Sequence, residues 1–137
     1  MESRLLEIAD RCRRGSEDNS MTFPQVVGTL VQEGFEGYSV DYRRAKAIYY
    51  RRDGDSVELA THRLDTPVAD AFDKEAIQAA IREAQQLIPG YTYAGFCRKV
   101  IKAGCAGYMV SFSGRRAVYF GRTADTHVEK FPEMGRP

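Results

Sequence analysis

The chain has 137 residues, of which 43% are hydrophobic and 28% charged, and its formal net charge is +1. This length favours one domain with its own hydrophobic core, and the small charge excludes an overall attraction to nucleic acid or anionic membranes. No apolar run approaches the roughly 20 residues of a membrane-spanning helix, and the charged start of the chain is unlike a secretory signal.

The first half of the chain predicts two helices and three strands. Apolar residues at three- and four-residue spacing predict a helix over 3–13, which Gly15 and the following polar run SEDNS end. Thr22 is the expected N-cap of the second helix, and Gly34 its C-terminal stop. The strands are expected at YSVDYRR, at KAIYYRR and, after a DG turn, at 56–62.

The second half repeats this order after a connector over 63–72. A helix is predicted over 74–88 with Asp73 as its cap, and Thr92 caps the next helix. The strands YMVSF and RRAVYF follow. A short extended piece is expected at 126–131, before the tail frays.

The strongest signal is an internal duplication. When the sequence is shifted by 70 positions, 22–55 lies over 92–125 without a gap, and nine of the 34 aligned positions are identical. The identical pairs are Thr22/Thr92, Gly34/Gly104, Gly37/Gly107, Tyr38/Tyr108, Val40/Val110, Ala47/Ala117, Tyr49/Tyr119, Arg52/Arg122 and Asp55/Asp125. The strand at 56–62 and the helix at 74–88 then join the two copies within a single domain.

The hairpin turn sets the register of each pair of strands. If Ser113 and Gly114 form a primed two-residue turn, as glycine favours, Tyr108 faces Tyr119, and by analogy Tyr38 faces Tyr49. Alternate side chains share a face, so the four tyrosines lie on one face of the predicted sheet. The other face is more mixed and is expected to be less buried; it carries Ser39, Asp41, Ile48, Tyr50, Met109, Ser111, Val118 and Phe120.

Two interpretations of the tyrosine face are open. In the first, the rings are cross-strand aromatic pairs that pack against the helices. In the second, a pseudo-twofold axis brings the four hydroxyls together, and they line a ligand pocket near Arg52 and Arg122. The second interpretation makes Tyr38, Tyr49, Tyr108, Tyr119 and the two arginines the candidate binding residues.

His127 and Glu129, in the sequence THVE, are weak candidates for catalytic residues. They are two positions apart, so on a strand they point the same way and are suited to acid/base chemistry or metal binding. A metal site needs three or four ligands, and no further one is evident. The sequence therefore predicts no metal and no cofactor.

Basic residues alternate with aromatic ones in RRAKAIYYRR. This pattern is typical of sheets that bind single-stranded nucleic acid, but arginine and lysine also keep hairpins and edge strands soluble. The near-zero net charge favours the second explanation.

Three cysteines, Cys12, Cys97 and Cys105, are odd in number and show no CxxC spacing. This pattern predicts reduced thiols in a cytoplasmic protein. Cys97 and Cys105 replace hydrophobic residues of the first copy, so they are expected in the core and not as nucleophiles.

The segment GCAGYMVSFSGRRAVYFGRTADTHVEKFP resembles the YbcV-like family, and TFPQVV and YYRRDGD fit the same family. The resemblance covers nearly the whole chain and implies a small soluble α+β domain of unknown function, found in bacteria and prophages. Some members carry the label phage envelope protein, although nothing here resembles a coat, fusion or membrane segment. The resemblance implies no activity for any residue.

Together these patterns predict an α+β fold, in which two αββ repeats form an antiparallel sheet of four to five strands with helices on one face. The predicted function is a non-enzymatic binding module for a small molecule or a protein partner. The alternatives are an enzyme or metal site at His127 and Glu129, and a weak nucleic-acid binder. A homodimer through edge-strand pairing is a further expectation.

Overall fold

Six antiparallel strands form one sheet in the computed structural model, which describes residues 1–131. The predicted fraying of the tail falls outside this range. The helices are α1 (Ser3–Glu17), α2 (Phe23–Gln32), α3 (Lys74–Gln86) and α4 (Tyr93–Lys102), and the strands are β1 (Phe35–Asp41), β2 (Lys46–Arg51), β3 (Ser56–Ala60), β4 (Cys105–Ser111), β5 (Arg116–Gly121) and β6 (Thr126–Lys130). The order of the strands across the sheet is β3-β2-β1-β4-β5-β6.

The predicted α+β class, with an antiparallel sheet and helices on one face, is confirmed, but residues 1–131 form six strands instead of four or five. The additional strand is β6, for which the sequence predicted only a short extended piece. It pairs with β5 over its whole length. Its sequence signal is weak because the polar His127 faces the core while Val128 faces outward.

The two central strands, β1 and β4, pair symmetrically. Ser39 lies opposite Met109, while Tyr38 pairs with Val110 and Val40 with Tyr108. A shift of 70 positions exchanges the members of these pairs. A pseudo-twofold axis therefore passes through the sheet at Ser39 and Met109 and relates the two halves.

The structural correspondence extends beyond the repeat that the sequence reveals. β3 and β6 cover 56–60 and 126–130, which are again 70 positions apart. The helices α1 and α3 also correspond, but buried Leu5 and Ala9 match buried Ile77 and Ile81 at a shift of 72. Each half therefore has the order ααβββ.

Local details differ from the sequence prediction in several places: β1 and β4 each begin three residues earlier than predicted, and α3 and β3 each end two residues earlier. Gly15 does not end α1, which continues to Glu17; a Cβ atom at Gly15 would lie 2.5 Å from Met21, so the glycine lets this side chain pack on the helix. The turn between β4 and β5 is also not a two-residue primed turn. Arg115, with φ +49°, takes the left-handed conformation expected of Gly114, although the register predicted for the tyrosines is correct.

The core lies between the helices and the face of the sheet that carries the tyrosines. Leu30, Phe35, Ile77 and Ile101 are among its fully buried side chains. Within residues 1–131, no helix is both long and apolar enough to cross a membrane.

Candidate functional site

The four tyrosines that the sequence singled out form one buried layer. Tyr38, Tyr49, Tyr108 and Tyr119 are each less than 9% exposed. Tyr38 stacks on Tyr49 and Tyr108 lies against Tyr119, with 5.3 Å between ring centroids in both pairs. Tyr38 and Tyr108 meet edge to face at 6.2 Å. The layer is thus a set of cross-strand aromatic pairs that pack beneath the helices.

Two hydrogen bonds within the protein involve hydroxyl groups in or beside this layer. The Tyr93 and Tyr108 hydroxyls are 2.7 Å apart, and the Tyr42 hydroxyl donates to Cys97 Sγ at 3.4 Å. Arg51 Nε is the one fully buried side-chain nitrogen or oxygen in 1–131 that has no hydrogen-bond partner. No fully buried tyrosine hydroxyl in this range therefore needs a ligand to satisfy it.

The sequence analysis did not single out Tyr42 and Tyr93, although the duplication contains a signal for them. Their counterparts 70 positions away are Phe112 and Phe23, so each hydroxyl occurs in one copy only. These unpaired differences mark the two hydroxyls that bond across the core.

Two surface depressions lie away from the tyrosine layer, and none of the four tyrosines lines either of them. One, of about 430 Å³, lies between Arg11, Met21 and Thr29. The other, of about 300 Å³, lies between Tyr42 and the connector around 63–68. Both are open to solvent and lined by a mixture of polar and apolar side chains.

The two candidate arginines lie far from each other. Arg52 follows β2 and Arg122 follows β5. These two strands run in opposite directions, because three antiparallel pairings separate them in the sheet, so the arginines lie at opposite ends of the sheet. Arg122 forms an ion pair with Asp70 on the connector. The structure therefore does not bring the two arginines into one pocket.

His127 and Glu129 do lie together, as their spacing predicted. His127 Nε2 is 3.1 Å from Glu129 Oε1, and His127 is 6% exposed beside Tyr119. Gln85 Nε2 donates to the other carboxylate oxygen at 3.3 Å. No group of three or more His, Cys, Asp or Glu side chains in 1–131 is placed to hold a metal ion. The arrangement is a hydrogen-bonded pair on the core side of an edge strand.

The three cysteines and Tyr49 are all buried. All three cysteines are free and buried, and burial raises the pKa of the Cys97 thiol to about 11 and that of Cys105 to about 12. Both thiols are therefore neutral near pH 7 and are poor nucleophiles. Tyr49 is buried among the helices, so it is not available to stack on a nucleotide base.

The face of the sheet opposite the helices is uncovered in 1–131, and we call it the open face. Its side chains form three cross-strand rows, each given in order from β3 to β6. The central row is Glu58, Ile48, Ser39, Met109, Val118 and Val128. The first outer row is Ser56, Tyr50, Gly37, Ser111, Arg116 and Lys130, and the second is Ala60, Lys46, Asp41, Gly107, Phe120 and Thr126.

The middle of the open face is apolar and exposed. Met109 is 54% exposed, Val128 45% and Tyr50 38%. Ile48, Val118 and Phe120 are half-buried beside them. The Phe120 ring covers the glycine at position 107, where a Cβ atom would approach the ring to 2.8 Å. The predicted lower burial of this face is therefore correct, and the result is a patch of apolar side chains.

Charged side chains occupy the margins of the open face. Asp41 and Lys46 are direct neighbours in the register of β1 and β2, where their charges offset each other. Glu58 lies at the β3 edge, while Arg116 and Lys130 are neighbours at the β6 corner. An apolar centre with charges at its rim is the usual composition of a protein–protein interface.

The chain belongs to the DUF1398 family, described as a protein of unknown function, because the family's sequence model matches residues 14–129. The match runs from the end of α1 to β6 and so includes the whole sheet up to Glu129. No curated protein matches the chain. The unknown function that the sequence resemblance implied agrees with this family, which assigns no substrate to any residue.

Proposed function

We propose that the protein is a non-enzymatic binding module that docks a protein partner on the open face of its sheet. The observation that carries this proposal is the exposure of Met109, Val128 and Tyr50 on one surface. Monomeric soluble proteins rarely expose contiguous apolar patches larger than a few hundred Å² unless these take part in an interaction.

A small-molecule site at the tyrosine layer has less support. The layer is buried, the Tyr108 hydroxyl bonds to that of Tyr93 within the protein, and none of the four tyrosines lines either of the two depressions described above. The open face needs no rearrangement to meet a partner, since its side chains already point outward.

The proposal also covers the protein's narrower family and its cellular compartment. We place it among the YbcV-like proteins of bacteria and prophages, and in the cytoplasm. Three free, buried thiols support a reducing compartment.

Site-specific photo-cross-linking in the producing cell tests the docking surface. A photoreactive benzoylphenylalanine at position 109 should give a discrete adduct, which should be lost when Val128→Lys is added on the same face. The matched control is position 31 on α2, because Val31 is 44% exposed and thus as accessible as Val128. Absence of any discrete adduct from position 109, or equal adducts from position 31, refutes the proposal.

A second candidate function, an enzyme or metal site, is suggested by the His127–Glu129 pair. In the first half of the chain, the same positions hold the apolar Val57 and Leu59. A polar pair here is expected to lower stability relative to an apolar pair, so selection for function is the better explanation of its presence. Divalent cations or small acids should then raise the melting temperature of the wild type but not of His127→Val/Glu129→Leu; if no such compound does so, this candidate is discarded.

A further inference from the structure

We infer that the partner on the open face is a second copy of this chain, bound face to face about a twofold axis parallel to the strands. The inference rests on the proposed function, which makes the open face a docking surface. Two antiparallel sheets pack in this aligned way about 10 Å apart, with their strand directions within about 30°.

A twofold axis that lies between two facing sheets has two simple directions. If it runs across the strands, each central-row residue meets itself, so that Met109 meets Met109 and Glu58 meets Glu58. If it runs along the strands, β3 of one copy lies over β6 of the other and the order of the central row is reversed. Met109 then lies over Ser39 of the second copy, and Ile48 lies over Val118.

Side-chain size favours the axis along the strands. Met109 is the most exposed apolar side chain of the open face, and Ser39 is the smallest side chain in the central row. Opposing a large residue to a small one allows two sheets to interdigitate without a void. Two methionines facing each other across the axis would instead hold the sheets apart.

Charge favours the same axis. Glu58 at the β3 edge comes to lie over Val128 of the second copy, one row away from Lys130, so the two opposite charges are neighbours, and this arrangement occurs twice. Tyr50 meets Arg116 and Lys46 meets Phe120, but the axis across the strands would also place Lys46 and Arg116 over aromatic rings, so these contacts do not distinguish the two directions. The axis across the strands would place the two Glu58 carboxylates together, which repel each other.

The size of the face is sufficient for a dimer. Six strands about 4.8 Å apart and three rows about 7 Å apart give a surface of roughly 600 Å² in each copy once the side chains are included. The total of about 1,200 Å² lies at the lower end of the range for specific interfaces. We therefore expect a reversible dimer with a measurable dissociation constant.

The experiment is sedimentation equilibrium of the full chain over a range of concentrations. The wild type should be a dimer, and Met109→Lys should dissociate it. Val31→Lys on α2 is the control and should leave the dimer intact. Far-ultraviolet circular dichroism should show that both variants remain folded, since both side chains are exposed; Val128→Lys is a second variant of the same face.

A charge exchange tests the direction of the axis. Glu58→Lys should weaken the dimer about tenfold. Adding Lys130→Glu should restore it, because the exchanged charges at positions 58 and 130 again have opposite signs. A wild type that stays monomeric, a dimer that survives both Met109→Lys and Val128→Lys, or a double exchange that restores nothing overturns the inference. A cross-link from position 109 to a different protein would overturn it while leaving the docking surface in place.

Discussion

At the scale of single residues, the most informative difference between the two halves is on the edge strands. His127 and Glu129 on β6 take the places of Val57 and Leu59 on β3. Burying a polar pair costs desolvation energy that its hydrogen bonds only partly recover. We therefore expect His127→Val/Glu129→Leu to raise the free energy of unfolding by about 1 kcal/mol in urea titrations.

Two controls separate burial from a specific role of the pair. Val57→His/Leu59→Glu should destabilise the first half, because it puts a polar pair where β3 packs two apolar side chains against the core. The single change His127→Val should give little or no gain, since Glu129 then loses a hydrogen-bond partner. If the double variant on β6 proves less stable than the wild type, the polar pair stabilises the fold and the desolvation argument is wrong.

At the scale of helices and turns, two glycines with opposite surroundings make a matched test. Gly28 is exposed within α2, a Cβ atom added there would have no neighbour within 4 Å, and its counterpart in α4 is Arg98. Gly28→Ala should stabilise the protein by about 0.5–1 kcal/mol through helix propensity. Gly104 has φ +96°, and a Cβ atom would lie 2.0 Å from the Ala71 carbonyl oxygen.

Gly104→Ala should accordingly destabilise the protein by about 2 kcal/mol or more, because both the backbone angle and the space exclude a side chain. Thermal and urea unfolding of the two variants would measure both effects. Similar stabilities for Gly28→Ala and Gly104→Ala would contradict the close approach of the connector to the end of α4.

The sequence predicted most accurately the elements whose two copies lie 70 positions apart along their whole length. The α2–β1–β2 and α4–β4–β5 units keep the 70-residue shift and the inward tyrosines, so their register was predictable. The helices α1 and α3 were not recognised as copies, because their buried positions match at a shift of 72. β6 was weakly predicted because His127 and Glu129 interrupt the usual alternation of apolar and polar residues.

At the scale of the whole molecule, the order of the strands depends on one pairing that no local pattern determines. β1 and β4 belong to different copies, and their pairing at Ser39 and Met109 makes a single sheet from two three-stranded halves. Sequence reasoning predicted two like halves but could not show that they join edge to edge. The joining buries both tyrosine pairs in one layer and leaves the opposite face as one continuous surface.

The buried tyrosine layer predicts how the whole protein responds to alkali. Burial raises the pKa of Tyr38, Tyr108 and Tyr119 well above the ordinary value of 10 and that of Tyr91 to about 12. Above pH 10 the unfolded chain has lost these phenol protons while the native protein keeps them, so the native state binds more protons and stability falls as pH rises.

Each buried tyrosine should therefore lower the free energy of unfolding by up to about 1.4 kcal/mol per pH unit above pH 10, with no contribution below it. Urea titrations between about pH 8 and pH 11 would measure this slope. Tyr119→Phe should make the slope shallower by about one proton, because one raised pKa is removed. Phenolate absorbance from the buried tyrosines should appear together with the loss of helical circular dichroism; phenolate from the layer in a still folded protein would contradict its burial.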